Sequence, residues 1–266
     1  ALAEILTGKV CPSGKLSETF PLCLEDTPTK GERGNGFAER YAEGIFVGYR
    51  WYDEQEKTVL FPFGHGLSYT RFEYADLEIE PRGKDGLDVT FSLENSGVCK
   101  GKETVQLYVR QRHSPVVRPQ KELKGFEKVQ LTSGETKTVT MKLDKRSFAW
   151  YNTELHDWYA ASGKYEILIG ASSRDIRLSE TIELSSSQVI PMHVHMNTTL
   201  GELLRYPKTK ETAKELTSKY LSAMNGGSET ASESAAEAIS EEMVEAMTDS
   251  MPLRSLCSFG GLSRIT

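Results

Sequence analysis

Short runs of alternating apolar and polar residues, each closed by a turn signal, dominate the chain between residues 71 and 184. Two runs illustrate the pattern, with apolar side chains at every second position: Leu87, Val89, Phe91 and Leu93 in the first, and Val105, Leu107 and Val109 in the second. A period of two is typical of a strand that buries one face. At least seven such runs, spaced by roughly ten residues, predict an antiparallel β-sandwich.

Two details refine the predicted sandwich. The first run changes phase near Ala75 and Asp76, which is typical of a β-bulge. No two cysteines are placed where an immunoglobulin disulfide would need them, so a fibronectin type III-like sandwich is favoured over an immunoglobulin domain.

The first 24 residues follow a different pattern. They predict the end of a helix, a turn at Pro12-Ser13-Gly14, and a short strand over residues 15–20 that Pro21 stops. Because the helix has no capping residue before it, we expect this element to start upstream of Ala1. Helix, turn and strand in this order suit the edge of an α/β domain. Apolar side chains left uncovered at this edge predict self-association: Leu2, Ile5, Leu6 and Phe20.

Beyond the sandwich, the chain predicts helices. Thr199 and Glu202 have the spacing of a capping box, and Pro207 ends the helix that they begin. A second helix over residues 208–224 is followed by Gly226-Gly227, a favourable C-cap. Apolar residues at four-residue spacing predict a last amphipathic helix: Ala235, Ile239, Met243 and Met247.

The predicted fold class is therefore mainly β, with an α/β remnant before the sandwich and a helical tail after it. Residues 25–70 are rich in glycine, aromatic and charged residues and have weak periodicity. A long irregular segment of this kind is normally a functional loop or a domain connector, and we call it the connector. The predicted parts are the α/β remnant (1–24), the connector (25–70), the sandwich (71–184) and a helical extension (185–266).

Charge and cysteine content exclude several functions. The net charge of −6 leaves no basic excess for a nucleic acid or an anionic membrane. The longest apolar stretches are strand-sized, so no membrane span is predicted. The cysteines, at 11, 23, 99 and 257, form no CxxC pair, and we expect neither a metal site nor a cofactor. Free buried thiols in a reducing compartment are favoured over a Cys11–Cys23 bridge.

Three unusual segments carry a family resemblance. They are Pro12-Ser13-Gly14-Lys15-Leu16 followed by Thr19-Phe20-Pro21, then Glu43-Gly44-Ile45-Phe46-Val47-Gly48-Tyr49-Arg50-Trp51-Tyr52-Asp53, then Phe61-Pro62-Phe63-Gly64-His65-Gly66-Leu67-Ser68-Tyr69-Thr70. Their order and spacing resemble the C-terminal half of family 3 β-glucosidases, in which they close an α/β sandwich domain and lead into a fibronectin type III-like domain. Lys121-Glu122-Leu123-Lys124-Gly125-Phe126 is similar to a recurring segment of that domain. The tail, with Asn197-Thr198-Thr199-Leu200 and Met251-Pro252-Leu253-Arg254, is similar to the extension of some bacterial members.

The resemblance implies hydrolysis of a terminal β-linked glucosyl or related residue with retention, by a nucleophilic carboxylate and an acid/base carboxyl. In the family the nucleophile is an Asp of an N-terminal barrel, within a Ser-Asp-Trp-like motif, and the acid/base is a Glu upstream of the Pro-Ser-Gly-Lys-Leu turn. Neither falls in this chain, since Asp157-Trp158 follows His156. No catalytic, substrate-binding or metal-binding residue is therefore assigned, and we expect the chain alone to be inactive.

The resemblance also implies partners and a setting. They are a β-glucoside or oligosaccharide substrate held by the parent enzyme, the missing barrel and α/β domain, and a possible second copy of the chain. A bacterial, cytoplasmic origin is favoured. Within the sandwich, the loop over residues 112–120, with Pro115 and Pro119, is expected to reach toward substrate or a neighbouring subunit.

Some residues of the connector suggest either a site or a scaffold. Glu43 and Asp53, among aromatic residues, suggest a sugar subsite, but we favour structural ion pairs that include Arg50. The rings of Tyr49, Trp51 and Tyr52 are expected to fill the core of a domain junction.

The histidines and a glycine-rich stretch give weaker signals. His65, between Gly64 and Gly66, predicts a tight turn with a locally hydrogen-bonded, structural imidazole. His193 and His195 are placed to share a strand face, but no third metal ligand lies nearby in sequence. The stretch Gly31–Gly36 lacks the strand–helix context of a phosphate loop.

A second hypothesis is a non-catalytic module that binds carbohydrate or mediates assembly. It requires a row of exposed, coplanar aromatic rings on one face of the sandwich. One cluster qualifies by position, at the ends of a predicted turn: Trp150, Tyr151, Trp158 and Tyr159.

Overall fold

The computed structural model describes residues 2–30, 41–83, 86–186, 188, 190–224 and 249–258. They fall into two compact units that divide at residue 190. The stretch Gly31–Gly36, the glycine pair at 226–227 and the predicted helix through Met247 lie outside the described residues.

The first unit contains the predicted antiparallel sandwich. One sheet has three strands in the order β3-β4-β7, with β3 at Phe72–Arg82, β4 at Gly86–Asn95 and β7 at Thr136–Leu143. The other has the order β11-β10-β5-β6, with β5 at Gly101–Gln111, β6 at Glu122–Leu131, β10 at Gly163–Gly170 and β11 at Ile176–Leu184. A separate hairpin joins β8, Trp150–Asn152, to β9, Asp157–Tyr159. The mainly β, antiparallel fold class is confirmed.

The alternating side chains form the core as the pattern requires. Val89, Phe91 and Leu93 of β4 are buried between the sheets, opposite residues of β5 such as Val105 and Leu107. The bulge expected near Ala75 is present, because the β3–β4 register shifts between Ala75 and Glu78. Asp76 there has a φ of 53°, a left-handed conformation that an Asp tolerates better than most residues.

The middle parts of strands β5 and β10 are buried on both faces, which alternation did not predict. On β5, Gln106 and Tyr108 point away from the core and are 3% and 0% exposed. On β10, Glu166 and Leu168 occupy the corresponding face and are 9% exposed each. A sheet without a covering layer would leave this face to solvent. The connector supplies the cover over Gln106 and Tyr108.

Short elements before the sandwich differ from the prediction. A helix, α1, spans Leu2–Leu6 as expected. The predicted strand over residues 15–20 is wrong, because regular pairing is limited to β1, Phe20–Pro21, against β2, Val59–Phe61. The Leu16 N–H instead donates to the His65 carbonyl, and the Gly64 N–H donates to the Leu16 carbonyl. These bonds hold residue 16 to the connector.

Within the connector, a helix, α2, spans Tyr49–Glu54 and was not predicted from the sequence. Its N-cap is Gly48, which has a φ of 62° and no side chain to cap the helix. With six residues and no polar cap, this helix carries none of the signals that mark helices in sequence.

The second unit is helical. Helix α3 spans Leu200–Arg205 and has the predicted capping box, in which Thr199 and Glu202 exchange hydrogen bonds. Helix α4 spans Lys210–Met224, two residues shorter at its start than predicted. A further helix, α5, spans Leu253–Ser258 and was missed. None of the described helices combines the length and apolar character that a bilayer span requires.

The cysteines that the structure describes in full are free. Cys23 is exposed, and Cys11 and Cys99 are partly buried. The expected free thiols are therefore confirmed and the Cys11–Cys23 bridge is not formed, whereas the expectation that these thiols are buried is wrong.

Asn95 ties the start of the sandwich to three other segments. It is fully buried, its Nδ2 donates to the carbonyls of Cys99 and Leu131 at 2.8 and 3.2 Å, and its Oδ1 accepts from the Thr70 hydroxyl at 2.5 Å and the Gly97 N–H at 3.2 Å. All the hydrogen-bonding groups of its side chain are used.

We expect Asn95→Ala to lower the free energy of unfolding by about 2–4 kcal/mol, because it leaves several buried polar groups without partners. Urea unfolding followed by tryptophan fluorescence measures the change. Thr90→Ala is the control, since Thr90 makes one hydrogen bond to Thr140 on the sandwich surface, and we expect less than about 1 kcal/mol. Equal effects of the two substitutions would contradict the role of Asn95.

Candidate functional site

The connector packs against the outer face of the four-stranded sheet. The Gln106 amide donates to the carbonyls of Gly64 and Ala171 at 3.2 and 3.0 Å and accepts from the Tyr108 hydroxyl at 2.6 Å. Gly64 has a φ of 79°, and a Cβ added there would overlap the Gln106 amide. Glycine is therefore required at residue 64 both for its backbone angle and for this close approach.

Helix α2 places three aromatic side chains in the junction. The Tyr49 ring stacks on Phe63, with centroids 5.0 Å apart, and meets Tyr108 edge-on at 5.9 Å. The Tyr49 hydroxyl accepts from the Leu123 N–H at 2.9 Å. Tyr52 is 5% exposed and packs edge-on against Trp51. These contacts agree with a role in the junction core and leave little of Tyr49 or Tyr52 for a ligand.

Asp53 is held between two cations. Its side chain is 6% exposed, with Oδ2 2.7 Å from the Lys121 Nζ and Oδ1 3.2 Å from the Arg174 Nε. The Asp53 carbonyl accepts from the Gln120 side chain at 3.1 Å. One helix residue thereby contacts the loop before β6 and the β10–β11 turn. A carboxylate bound in this way is neither free to attack a sugar nor positioned to donate a proton.

Glu122 is the centre of a second charged cluster. Its carboxylate lies 2.6 Å from Arg118, 3.2 Å from Lys124 and 3.7 Å from Arg50. Burial raises the pKa of Glu122, but the Arg118 hydrogen bond and the charges of Lys124 and Arg118 outweigh it and hold the pKa below its ordinary range. The predicted structural role of Arg50 is therefore supported, with Glu122 as a partner that the sequence did not identify.

A third ion pair joins the N-terminal segment to the sandwich. The Lys15 Nζ is 2.7 Å from the Glu103 carboxylate, and both side chains are largely buried. The Tyr74 hydroxyl donates to the same carboxylate at 3.3 Å. Gly66 lies so close to this segment that a Cβ would be 2.5 Å from the Gly14 carbonyl oxygen. The Pro-Ser-Gly-Lys-Leu turn, the connector and strand β5 therefore contact one another directly.

The other acidic residues near the connector have weaker surroundings. Asp26 accepts from the Cys23 thiol at 3.3 Å and from Lys57 at 3.1 Å. These two hydrogen bonds lower its pKa, so it stays ionised near neutral pH and is no proton donor. Glu43 has no ion-pair partner among the described residues. The expected structural ion pairs form only at Asp53, with Lys121 and Arg174, and at Arg50, with Glu122.

Two histidines, His65 and His195, make local structural contacts. The His65 ring stacks on Phe61, with centroids 4.9 Å apart, and its carbonyl accepts from Leu16. The Nδ1 of His195 accepts from the Asn197 N–H at 3.1 Å. Residues 190–195 form no regular strand, so the expected shared strand face of His193 and His195 is absent. Among the described residues, no group of three or more potential ligands is placed to hold a metal ion.

The aromatic hairpin does not form a flat row of rings. Trp150 meets Tyr159 at an interplanar angle of 80°, and Tyr151 meets Trp158 at 79°. Tyr151 and Trp158 are 51% and 37% exposed, whereas the other two rings are partly buried. Perpendicular rings cannot stack on successive sugars of one chain. The carbohydrate-binding hypothesis therefore lacks the platform that it requires.

The loop over residues 112–120 has a fixed base and an exposed tip. Arg118, only 10% exposed at its side chain, donates to Gln111, Glu122 and the Phe148 carbonyl. Val117 at the tip is 75% exposed. The predicted reach of this loop toward substrate or a neighbouring subunit stays a prediction.

Two parts of the first unit match models of known protein families. Residues 1–69 match the Glycosyl hydrolase family 3 C-terminal domain, and residues 103–173 match a Fibronectin type III-like domain. The chain is 49% identical over 208 residues to Thermostable beta-glucosidase B of Acetivibrio thermocellus, covering 77% of this chain and 28% of that protein. It is 45% identical over 188 residues to an Exo-alpha-(1->6)-L-arabinopyranosidase of Bifidobacterium breve, covering 69% of this chain and 24% of that protein.

Solved structures agree. A beta-glucosidase of Bifidobacterium adolescentis aligns with a TM-score of 0.73 and 38% identity, covering 79% of this chain and 31% of that one. The chain thus covers 24–31% of the length of these relatives.

We expect Asp53→Asn to lower the free energy of unfolding by about 2–4 kcal/mol, because Lys121 and Arg174 lose a buried counter-charge. Urea unfolding measures the loss. The matched control is Asp175→Asn, which breaks the exposed pair with Arg177 and should cost less than about 1 kcal/mol. A small effect at Asp53, equal to that of the control, would show that this contact does not hold the connector.

The lowered pKa of Glu122 predicts that its contribution to the free energy of unfolding depends on pH. Because its folded pKa lies below its unfolded value, the unfolded chain binds more protons at acidic pH, and the stabilisation is complete above the unfolded pKa of about 4.3. We expect the excess stability of the wild type over Glu122→Gln to be constant from pH 7 to 5 and to shrink as the pH falls below about 4.3. Unfolding of both proteins at pH 7, 5, 4 and 3.5 measures it. A difference that grows on acidification would refute this assignment.

Proposed function

The chain belongs to glycoside hydrolase family 3, and we propose that it forms the C-terminal portion of a retaining β-glucosidase-type enzyme. In this proposal the enzyme hydrolyses terminal β-linked glucosyl or related residues. The catalytic Asp and Glu lie outside these 266 residues, and the sandwich is an accessory structural domain. The relatives differ in the sugar that their names state, so the preferred sugar and linkage are left open.

Incomplete elements at the start of the chain support a larger parent. Helix α1 has five residues, and strands β1 and β2 form a sheet of two strands. Neither element is stable alone in water, because a helix of that length is below the nucleation limit and an isolated hairpin is marginal. Large apolar side chains in these segments are 55–75% exposed: Leu2, Leu6, Leu22, Leu24 and Leu60. A barrel and the rest of an α/β domain would cover them.

The observation that carries the proposal is the network of contacts between the N-terminal segments and the sandwich. Three contacts join the family 3 segment to the sandwich: the Lys15–Glu103 ion pair, the ion pairs of Asp53 with its two cations, and the hydrogen bond from Gln106 to Gly64. Each of these carboxylates is neutralised by a neighbouring cation, so their chemistry is used for support. The sandwich would then brace the α/β domain that holds part of the catalytic machinery.

The proposed reaction needs two carboxyl groups about 5 Å apart, one that attacks the anomeric carbon and one that protonates the leaving oxygen and then activates water. Asp53 is unsuited to either role, because it is buried and paired. Asp26 is ionised and paired with Lys57, which makes it unsuited to proton donation. In this proposal both groups come from the upstream part of the parent enzyme.

We expect the purified chain to show no hydrolysis of an aryl β-glucoside, and the same chain extended upstream to its natural start to be active. Release of the aryl alcohol measures the reaction. Light scattering on both proteins checks the expected self-association of the shorter one, which exposes the apolar side chains of α1. Activity in the chain as given would overturn the proposal.

Carboxylate substitutions in the extended protein separate support from catalysis. Asp26→Asn, Glu43→Gln and Asp53→Asn should each leave kcat per folded molecule within about fivefold of the parent, whereas removal of a catalytic carboxyl costs about 100-fold or more. The folded fraction is measured by circular dichroism before each assay. A loss of the larger size at any of the three would place that residue in the reaction.

A further inference from the structure

A hollow lined by cations lies at one end of the sandwich, next to the aromatic hairpin. It consists of two adjoining depressions between the ends of β3 and β7, the short 3₁₀ helix at residues 145–147, and β9. Its charged and aromatic lining residues are Arg82, Lys124, Lys142, Asp144, Lys145, Arg146, Asp157 and Trp158. Five cations and two carboxylates therefore line this hollow in a chain whose net charge is −6.

The two carboxylates of the hollow are occupied by local hydrogen bonds. Asp144 caps the 3₁₀ helix by accepting from the N–H and the hydroxyl of Ser147, both at 3.0 Å. Asp157 accepts from the Trp158 N–H at 2.7 Å. Neither forms an ion pair with a cation of the hollow among the described residues, and the five cations outnumber these two carboxylates.

The cations divide into paired and unpaired groups. Arg82 pairs with Asp88 at 2.8 Å, and Lys124 pairs with Glu122 at 3.2 Å. Within the part of the chain that the structure describes, Lys142, Lys145 and Arg146 have no carboxylate partner. Three cations without an ion-pair partner, all between residues 142 and 146, therefore line the same hollow.

Arg146 is held in place without a counter-charge. Its guanidinium lies over the Trp158 ring, 4.2 Å from the centroid. A guanidinium stacked on an aromatic ring loses little of its hydrogen-bonding capacity, because the N–H groups point outward in the plane. Such a fork matches the two oxygens of a carboxylate or phosphate. Stacking on Trp158 therefore positions the Arg146 guanidinium to bind an oxyanion.

We propose that this hollow is a binding site for an acidic carbohydrate, with Arg146 as the carboxylate-binding residue and Lys142 and Lys145 as supporting cations. The ring of Trp158, 37% exposed, is itself a lining residue of the hollow and offers an apolar surface beside the cations. A uronic acid residue has both features that this surface complements, a carboxylate and a sugar face of C–H groups. This site does not depend on the proposed hydrolysis.

The test compares two oligosaccharides of the same length, tetragalacturonate and neutral maltotetraose, by calorimetric titration into the full chain. We expect binding of the acidic tetramer alone, weakened about tenfold between 50 and 500 mM NaCl because exposed charges are screened. Trp158 lies at the site, so tryptophan fluorescence should change on binding. Equal binding of maltotetraose, or no binding of the acidic tetramer at low salt, would overturn the proposal.

Two variants locate the site. Arg146→Gln should weaken tetragalacturonate binding about tenfold by removing a charge-assisted hydrogen-bond fork. Arg177→Gln is the matched control, because Arg177 also lies over a ring, that of Tyr74, but is paired with Asp175. It should bind as the wild type does. Unchanged binding by Arg146→Gln, or equal losses in the two variants, would refute the assignment.

Inorganic phosphate separates a carbohydrate site from a general oxyanion site. We expect phosphate to compete with tetragalacturonate only at concentrations at least about tenfold above those of the tetramer, because it lacks a sugar face and carries a single anionic group. Competition at equal concentration would make the hollow a site for small oxyanions and would overturn the carbohydrate assignment.

Discussion

The larger sheet of this sandwich has no solvent face along the middle of its two central strands, and the rest of the first unit depends on that constraint. Gln106 and Tyr108 point outward from β5 yet are as buried as the core. They are buried because the Gly64 carbonyl accepts from Gln106 and the Tyr49 ring packs on Tyr108. The connector is therefore a third layer over the sheet, and its irregular backbone is fixed by polar contacts.

Charge neutralisation explains why so many acidic residues near this layer are unsuited to catalysis. Asp53, Glu103 and Glu122 each lie within 2.7 Å of a cation. A buried carboxylate without such a partner would carry a large desolvation cost, so each pair is required once the connector covers the sheet. The same charges that fix the geometry of the junction remove these residues from acid/base chemistry. These three carboxylates are thus suited to structural support and unsuited to hydrolysis.

Local physical signals in the sequence were sufficient for much of the fold. Alternation predicted strands β4 and β5, a phase change located the bulge at Ala75, and the Thr199–Glu202 spacing identified a capping box. Each of these depends on residues within a few positions of one another. The three linked motifs also indicated the family.

Contacts between distant residues could not be predicted in this way. Asp53 lies 68 positions from Lys121 and 121 positions from Arg174, so no local pattern joins them. Helix α2 forms because Tyr49 and Asp53 find partners on β6 and the β10–β11 turn, and its own sequence has no cap. The two-residue strand β1 depends likewise on β2, which lies about forty residues away. The family resemblance thus indicated that a junction exists, but the sequence did not predict which residues contact one another there.

The third layer has a consequence for inheritance. A sandwich with one bare sheet face can be recombined between genes as a self-contained cassette, with a boundary anywhere in the linker before its first strand. Here a boundary at residue 71 would separate Gln106 from Gly64 and Glu103 from Lys15. The smallest heritable cassette therefore begins before the Pro-Ser-Gly-Lys-Leu turn, and exchange of this sandwich between genes must carry the edge of the preceding domain with it.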